Sequence, residues 1–586
     1  MDVFKYLKAI IDDEVKALSD LGVLRENLNL SKFTVEPPRD SKHGDIASNV
    51  ALVLSKQSEI PPKDLCELLL PRFKVHSDIS ECNIAGPGFL NFRMQDSFWH
   101  SQLKTIILEG ENYGKSSVGL GVKANVEYVS ANPTGPLHVG HSRGAVFGDV
   151  LANILNHVGF SVTREFYIND AGQQVDILAR SVHLRYREAL GENIPSEYYQ
   201  DAYPGDYLIP VARELIEIYG NRFQKDSKED WLPVFKEFTV KKLMEKIKED
   251  LVLLGVKHDT FTSEKELVKG GYVELVYNKL DDMQLLYEGI LETPKGADNL
   301  DDWEPRKQVL FKSTHFEDDT DRPLKKADGS WTYFATDIAY HSKKIDRNFD
   351  QIINVWGADH GGYIKRLNAA VSAISNGKIK IDVKLCQLVK LLENGQQLKM
   401  SKRAGQYVTL RDLVDSVGKD VVRFIMLTRK NDAPLDFDLK KVLEQSHDNP
   451  IFYVQYAHAR IYSVIRNFKQ TFPIEVTSEE ALNSAPLNML DNPSEIRLIR
   501  FLANWPRVLE GAAINHEPHR LAFYLQELAS EFHSLWNNGK EDLSLKFLRD
   551  DNFKITQARI ILIAGTASII ASGLTLLGIK PAEELR

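Results

Sequence analysis

The sequence predicts an α/β core built on a parallel sheet, preceded by an α+β segment and followed by an all-α segment. Three observations predict it. A strand–loop–helix–strand pattern fills residues 124–167. Strand-like runs return at 351–355 and 379–392, with a helical stretch at 364–374 between them. Beyond Leu435 the apolar positions recur almost wholly at helical spacing. The length of 586 residues suits about four domains at ~150 residues each.

Residues 1–115 read as a separate unit. A helix opens it, strand-like runs follow at 33–36 and 89–94, and a helix is expected near 45–56. The opening MDVFKYLKAIIDDEVKAL has no basic flank before an apolar core, so it is not a secretory signal. Residues 110–121, rich in Gly and Ser, read as a linker. Residues 116–375 carry the α/β core. Residues 124–129 are apolar and β-favouring, a loop with Asn132, Pro133, Gly135 and Pro136 follows, a helix with small residues on one face runs over about 141–157, and 161–167 alternates as a strand does. A parallel βαβ unit of this kind places its ligand beyond the carboxyl ends of its strands.

Residues from about 185 to 305 are highly charged and mostly helical in pattern, and read as an insertion. Residues 376–445 form a second part of the core region, with the loop LENGQQLKMSKRAGQ and connecting helices, and 446–586 form a helical domain whose 471–494 stretch is an irregular loop. Residues 560–579 are twenty in a row without charge, the length of a membrane span. Seven Gly, Ser or Thr residues and the lack of aromatic belts instead indicate a buried bundle helix ending at a turn on Gly578.

Composition narrows the class. Apolar residues at 43% and charged residues at 26% exclude a mainly disordered or collagen-like chain. A net charge of −9 excludes a bulk nucleic-acid coat, yet leaves room for local basic surfaces, because charge is felt only within ~8 Å at physiological salt. Cys66, Cys82 and Cys386 are far apart and form no C-x-x-C pair, which argues against a disulfide scaffold or structural zinc and suits the cytoplasm.

Two motifs carry chemistry. HVGH at 138–141 sits at a loop-to-helix junction, where free backbone N–H groups attract phosphate. Gly140 lets a ligand approach, and two imidazoles there suit hydrogen bonding to phosphate oxygens as charge builds in a transition state. The alternatives are metal ligands or ordinary surface histidines. KMSKR at 399–403 lies in a loop bounded by Gly395 and Gly405. Lys399 and Lys402 suit one anionic ligand; the alternative is a solvated basic turn.

In this order, about 260 residues apart, the two strings are specific. Here the sequence resembles the class I aminoacyl-tRNA synthetases, HVGH matching the HIGH signature and KMSKR the KMSKS signature. The resemblance implies a Rossmann-type ATP site split by an insertion. It implies catalytic contacts by His138, His141, Lys399 and Lys402, and ATP contacts by Gly140, Gly357, Asp359, Met400 and Ser401, with Asp359 of the loop GADH on the ribose.

Further strings, SANPTGPLHVGH, YINDAGQQ, YPGDY, YFATDIAYH, HGDIASNVA and GKDVVRF, resemble the bacterial arginyl-tRNA synthetase family along nearly the whole chain. That resemblance implies arginine contacts by Glu127, Ser130, Asn132, Tyr333, Asp337 and His360, the last where the family often has Gln. Physics agrees in kind: a guanidinium seeks a carboxylate and a stacking ring, and Tyr333 and Asp337, four apart, share a face if the segment is helical. The alternative for Asp337 is an acid on a helix surface. The family also implies Mg²⁺ with ATP, no tightly bound protein metal, an arginine tRNA partner and no membrane; a monomer is expected. For RNA contact, Lys430, Arg460, Arg466, Arg497, Arg500, Arg507 and Arg520 are interleaved with Phe452, Tyr453, Tyr456, Trp505 and Tyr524. HEPH at 516–519 offers a metal reading, against which Pro518 suits a helix start.

Overall fold

The computed structural model describes residues 2–38, 40–291, 306–398 and 408–585. The chain opens with the helix Val3–Asp20, capped by the Asp2 carboxylate, which accepts from the Phe4 N–H at 2.8 Å. Its face of Leu7, Ile11 and Val15 is buried in the core it shares with a four-stranded antiparallel sheet. Val35–Glu36 and Phe89–Met94 of that sheet were legible in the sequence; Ile46–Ser48 and Ile79–Ala85 were not. Ile46–Ser48 falls where a helix was expected, and the helix starts only at Val50. Three residues are too few to show a period, and a bulge at Ile79/Glu81 breaks the alternation of the other strand. The expected linker is packed rather than free: Tyr113 is fully buried and its hydroxyl donates to the Ala503 carbonyl at 3.4 Å.

The central sheet has five parallel strands: β1 (Lys123–Glu127), β2 (Ser161–Ile168), β3 (Thr260–Ser263), β4 (Gln351–Gly357) and β5 (Ile381–Cys386). Their spatial order is β5-β4-β1-β2-β3. The strand order reverses between β1 and β4, the crevice where a doubly wound sheet binds its ligand. Five helices matter for the site: α1 (Val139–His157), α2 (Gln173–Ala189), α3 (Lys228–Leu253), α4 (Tyr333–Asp346) and α5 (Ile364–Ser375).

One expectation is corrected here. The charged stretch from about 185 to 305 is not wholly an insertion, because β3 lies inside it and pairs with β2 from Glu165↔Thr260 to Ile168↔Ser263. Its four residues, Thr-Phe-Thr-Ser, carry one large apolar side chain and give almost no strand signal. The helical part has its own core of Leu178, Val182, Tyr186, Leu208 and Phe235. A second sheet, Leu286–Gly289, Gln308–Phe311 and Arg322–Lys325, is antiparallel.

The run 379–392 divides between β5 and the strand Val389–Glu393. The latter leaves the central sheet and pairs with Leu435–Asp438 and Gln396–Gln397. The C-terminal bundle holds Pro450–Thr471, Pro493–Ala503, Trp505–Ile514, His519–Glu541 and Phe553–Leu576. Phe553–Leu576 is long and apolar enough to cross a membrane, but Ile560, Ile561, Leu562, Ile563, Ile569 and Ile570 are fully buried inside the protein. The 471–494 stretch contains the helix Glu479–Ser484, capped by Ser478.

Candidate active site

The HVGH residues open α1 beyond the carboxyl end of β1. His138 is the N-cap: its Nδ1 accepts from the Gly140 N–H at 3.0 Å, while His141 Nδ1 accepts from the His138 N–H at 3.2 Å. The two rings stack with centroids 3.9 Å apart. This reciprocal cap settles the tautomers. A ring whose Nδ1 accepts carries its proton on Nε2, so each histidine is an Nε2–H donor, that of His138 lying buried. Gly140 is required by the same cap, since a Cβ there would lie 2.8 Å from His138 Cε1.

The turn after β1 is strained. Val129 and Ser130 both have positive φ, 71° and 39°, and the Ser130 N–H donates to the Tyr128 carbonyl at 3.1 Å. A β-branched residue in that region costs about 1–3 kcal/mol and persists only where its surroundings hold it. Here the Ser130 hydroxyl donates to Glu127 Oε1 at 3.0 Å and accepts from the Tyr167 N–H at 3.1 Å. Further along, Asn132 Nδ2 donates to Gln174 Oε1 of α2 at 2.8 Å, and the Tyr207 hydroxyl donates to the Thr134 carbonyl at 2.6 Å. The YPGDY string thus reaches back onto the loop before HVGH.

Helix α4 begins at Tyr333, capped by Thr332, so Tyr333 and Asp337 do share a helical face. Tyr333 is 48% exposed, and the Asp337 carboxylate accepts from the Tyr363 hydroxyl. Beside them is an acid that sequence reasoning missed. Glu264 starts the short helix after β3, is 4% exposed, and burial pushes its carboxyl up to about 7, with Asp170 adding to the rise and Thr336 opposing it. The buried Tyr167 phenol is raised by desolvation and then by Asp337, Glu264, Glu127 and Asp170. Four carboxyl groups thus stand around one phenol at the carboxyl ends of β1, β2 and β3, one of them, Glu127, already paired with Lys344.

GADH begins on Gly357, the last residue of β4. Asp359 and His360 are exposed, 3.7 Å apart, and a Cβ on Gly357 would stand 2.5 Å from Asp359 Oδ1, so the glycine makes room for that carboxylate. Lys399, Met400, Ser401 and Lys402 lie outside the described residues. The chain just beyond them returns to the start of α1: His138 and Thr409 form an antiparallel bridge, the Val139 N–H donates to the Val408 carbonyl at 3.3 Å, and the Leu410 N–H to the Leu137 carbonyl at 2.8 Å. The chain leaving the KMSKR string is therefore hydrogen-bonded to HVGH itself.

The proposed RNA contacts separate sharply. Trp505 and Tyr524 are buried against each other, 5.1 Å between rings, so they are core residues. Arg500 pairs with Asp45 at 2.6 Å and Arg507 lies over Phe4 at 4.9 Å, tying the bundle to the N-terminal unit. Arg497 pairs with Glu531 and Arg520 with Glu517. Phe452 and Tyr456 remain stacked at 5.7 Å, with Arg460 4.2 Å over Tyr456 and 4.7 Å over Trp536. In HEPH, His516 bonds Asp382 of β5 at 2.5 Å and Pro518 caps His519–Glu541. Among the described residues no group of three or more His, Cys, Asp or Glu is arranged to hold a metal.

Three family models match the chain: the arginyl tRNA synthetase N terminal domain at residues 5–94, the class I (R) tRNA synthetase catalytic domain at 102–206, and the DALR anticodon binding domain at 454–585. Arginine–tRNA ligases of Parvibaculum lavamentivorans and Cereibacter sphaeroides are 51% and 53% identical to it over 586 residues, covering 100% of each chain. The arginyl-tRNA synthetase structure from Thermus thermophilus shares the fold with a TM-score of 0.70 at 19% identity, covering 99% of this chain and 100% of that one. That from Plasmodium falciparum does so at 0.70 and 18%, covering 100% and 99%. The parallel sheet, the capped HVGH helix and full-length identity above one half agree, and the chain belongs to the arginyl-tRNA synthetases, joining L-arginine to its tRNA through an arginyl-adenylate made from ATP.

Proposed function

We propose that ATP and arginine meet in the crevice between the carboxyl ends of β1 and β4, and that the chain's own residues divide the work there. The observation that supports this reading is the bridge from His138 to Thr409, which holds the chain six residues after the KMSKR string at the mouth of α1. The arginine carboxylate attacks the α-phosphorus, an oxygen–phosphorus bond forms, and the bond to pyrophosphate breaks. Negative charge grows on the phosphate oxygens. The Nε2–H groups of His138 and His141, the positive end of the α1 dipole, and Lys399 and Lys402 stabilise it; the first three N–H groups of α1 are themselves taken, by the Val408 carbonyl, His138 Nδ1 and the His138 carbonyl. Gly140 and Gly357 admit the nucleotide, Met400 and Ser401 line it, and Asp359 holds the ribose. Such chemistry is mostly positioning and charge stabilisation.

Arginine would lie along the turn after β1, with Asn132 and the Glu127–Ser130 pair at its α-amino end. Its guanidinium would reach Asp337, Tyr333 and Glu264, and His360 stands at the rim. The Phe452–Tyr456–Arg460 stack suits unpaired anticodon bases, and the N-terminal unit of 1–115 suits a second tRNA contact. Mg²⁺ accompanies ATP, held by phosphate oxygens, where it neutralises charge. The enzyme works as a monomer in the cytoplasm, with catalytic segments 116–375 and 376–445 and an anticodon domain of 446–586.

The test is arginine-dependent ATP–pyrophosphate exchange with and without arginine tRNA. Asp337→Asn should raise the KM for arginine at least tenfold while leaving that for ATP within twofold; an unchanged arginine KM removes Asp337 from the guanidinium site. Glu264 adds a pH signature. Its carboxyl sits near 7 in the free protein, and a bound guanidinium favours the ionised form. The KM for arginine should therefore rise as pH falls below about 7, and Glu264→Gln should flatten that profile. A wild-type KM level from pH 6 to 8 would reject the role.

A further inference from the structure

Lys344, on the last turn of α4, has its side chain wholly out of solvent. Its Nζ donates to Glu127 Oε2 at 2.6 Å and to Asn354 Oδ1 at 3.2 Å, and lies 4.4 Å over the Tyr340 ring. Asn354, on β4, spends its amide N–H on His341 Nε2 at 2.9 Å. His341 Nδ1 in turn donates to the Asp337 carbonyl at 2.8 Å. A carbonyl only accepts, so the His341 proton is on Nδ1 and Nε2 is the acceptor that Asn354 needs. Burial, and then Lys344, push His341 down to about 3, so the ring is neutral.

On the other side, Glu127 also accepts from Ser130, which accepts from the Tyr167 N–H. Each of these bonds has a determined direction. The chain runs from the strained turn after β1, through one buried ammonium, to the backbone of Asp337. Its two ends are the two ends of the arginine site proposed above. The turn carries the residues facing the α-amino group, and α4 carries those facing the guanidinium. A chain-length filter needs a fixed distance between two such groups, and a buried charge on α4 hydrogen-bonded to partners on β1 and β4 is a rigid spacer.

We propose that Lys344 is a positioning residue for arginine selection: it fixes α4 against the Glu127–Ser130 turn and so sets the length of cationic amino acid the pocket accepts. The inference rests on the site assignment made under the proposed function. Lys344 touches no substrate; it acts through Glu127 and through Asn354 and His341. Both Glu127 oxygens are already engaged, which makes Glu127 a member of this frame as much as a substrate contact.

The experiment measures pyrophosphate exchange in the presence of arginine tRNA with three substrates: arginine, its homologue one methylene longer, and its homologue one methylene shorter. Lys344→Met should raise the arginine KM at least tenfold. It should also lower the kcat/KM preference for arginine over the longer homologue at least tenfold, with the ATP KM within twofold. Lys344→Arg, which keeps a buried cation, should restore the preference to within threefold. Equal losses on all three substrates, or a preference unchanged in Lys344→Met, would mean the lysine is structural only and overturn the proposal. Should Lys344→Met not fold, the pair Lys344→Met with Glu127→Gln leaves no charge buried alone and must show the same loss of preference. Asp337→Asn separates the two layers. If it leaves the arginine KM unchanged, the site assignment fails whatever Lys344 does; if it raises KM while Lys344→Met keeps the preference, only the present proposal fails.

Discussion

His141→Ala should slow adenylate formation by about 10²–10³-fold, the loss expected on removal of one donor aimed at developing charge. The KM for arginine should move less than threefold, because the lost contact belongs to the transition state rather than to amino acid binding. The reciprocal cap makes a sharper version available. His141 uses Nδ1 to hold the His138 N–H, which leaves Nε2–H as the donor proposed to meet the phosphate. Asparagine at 141 puts an acceptor near the Nδ1 position and so keeps the cap but loses the outer donor. Glutamine puts an amide N–H near the Nε2 position. His141→Gln should therefore retain at least tenfold more activity than His141→Asn in single-turnover adenylate formation. The reverse order would make the histidine a helix cap and nothing more. Lys402→Ala should lower the same rate constant as much as His141→Ala, again at nearly constant arginine KM; equal falls in rate and affinity would remove the lysine from the transition state.

That contrast also shows why this part of the site was legible from sequence. The loop-to-helix junction at HVGH is a local feature and was read from the string; the reciprocal cap between its two histidines was not. Tyr333 and Asp337 were legible for the same reason, as an i, i+4 pair on one helix. Glu264 and Lys344 were not. Glu264 sits at the end of a four-residue strand without alternation, and Lys344 meets Glu127 across 217 positions of chain. Neither contact leaves a periodic trace. The bundle shows the converse failure: Trp505 and Tyr524 follow the same aromatic-and-arginine pattern as Tyr456 and Arg460, yet the first two are core and Tyr456 is 36% exposed. Composition gives the kind of side chain on a helix, and only packing decides which face is covered.

Arg423→Leu should cost about 3–5 kcal/mol of stability, the range for breaking a buried pair and leaving its partner charged and alone. The guanidinium has no exposed surface and makes three bonds to three parts of the protein. Nη2 meets Asp149 Oδ2 of α1 at 2.5 Å, Nη1 meets the Leu254 carbonyl just beyond α3 at 3.1 Å, and Nε meets the Leu577 carbonyl ending the last helix at 2.6 Å. Gly578 fits around it, with φ 72° and no room for a Cβ beside the guanidinium. One side chain thus joins the HVGH helix, the helix α3 and the anticodon bundle. An exposed pair such as Arg25–Glu59, more than half open on both sides, is worth at most ~1 kcal/mol by comparison. Calorimetric melting of Arg423→Leu should show a markedly lower midpoint, and Arg423→Leu with Asp149→Leu should recover part of it, because no carboxylate is then buried unpaired. A single variant that melts with the wild type would show that the bundle and α1 are held by their apolar contacts alone. A double variant less stable than the single would show that the two carbonyls, rather than Asp149, are what Arg423 serves.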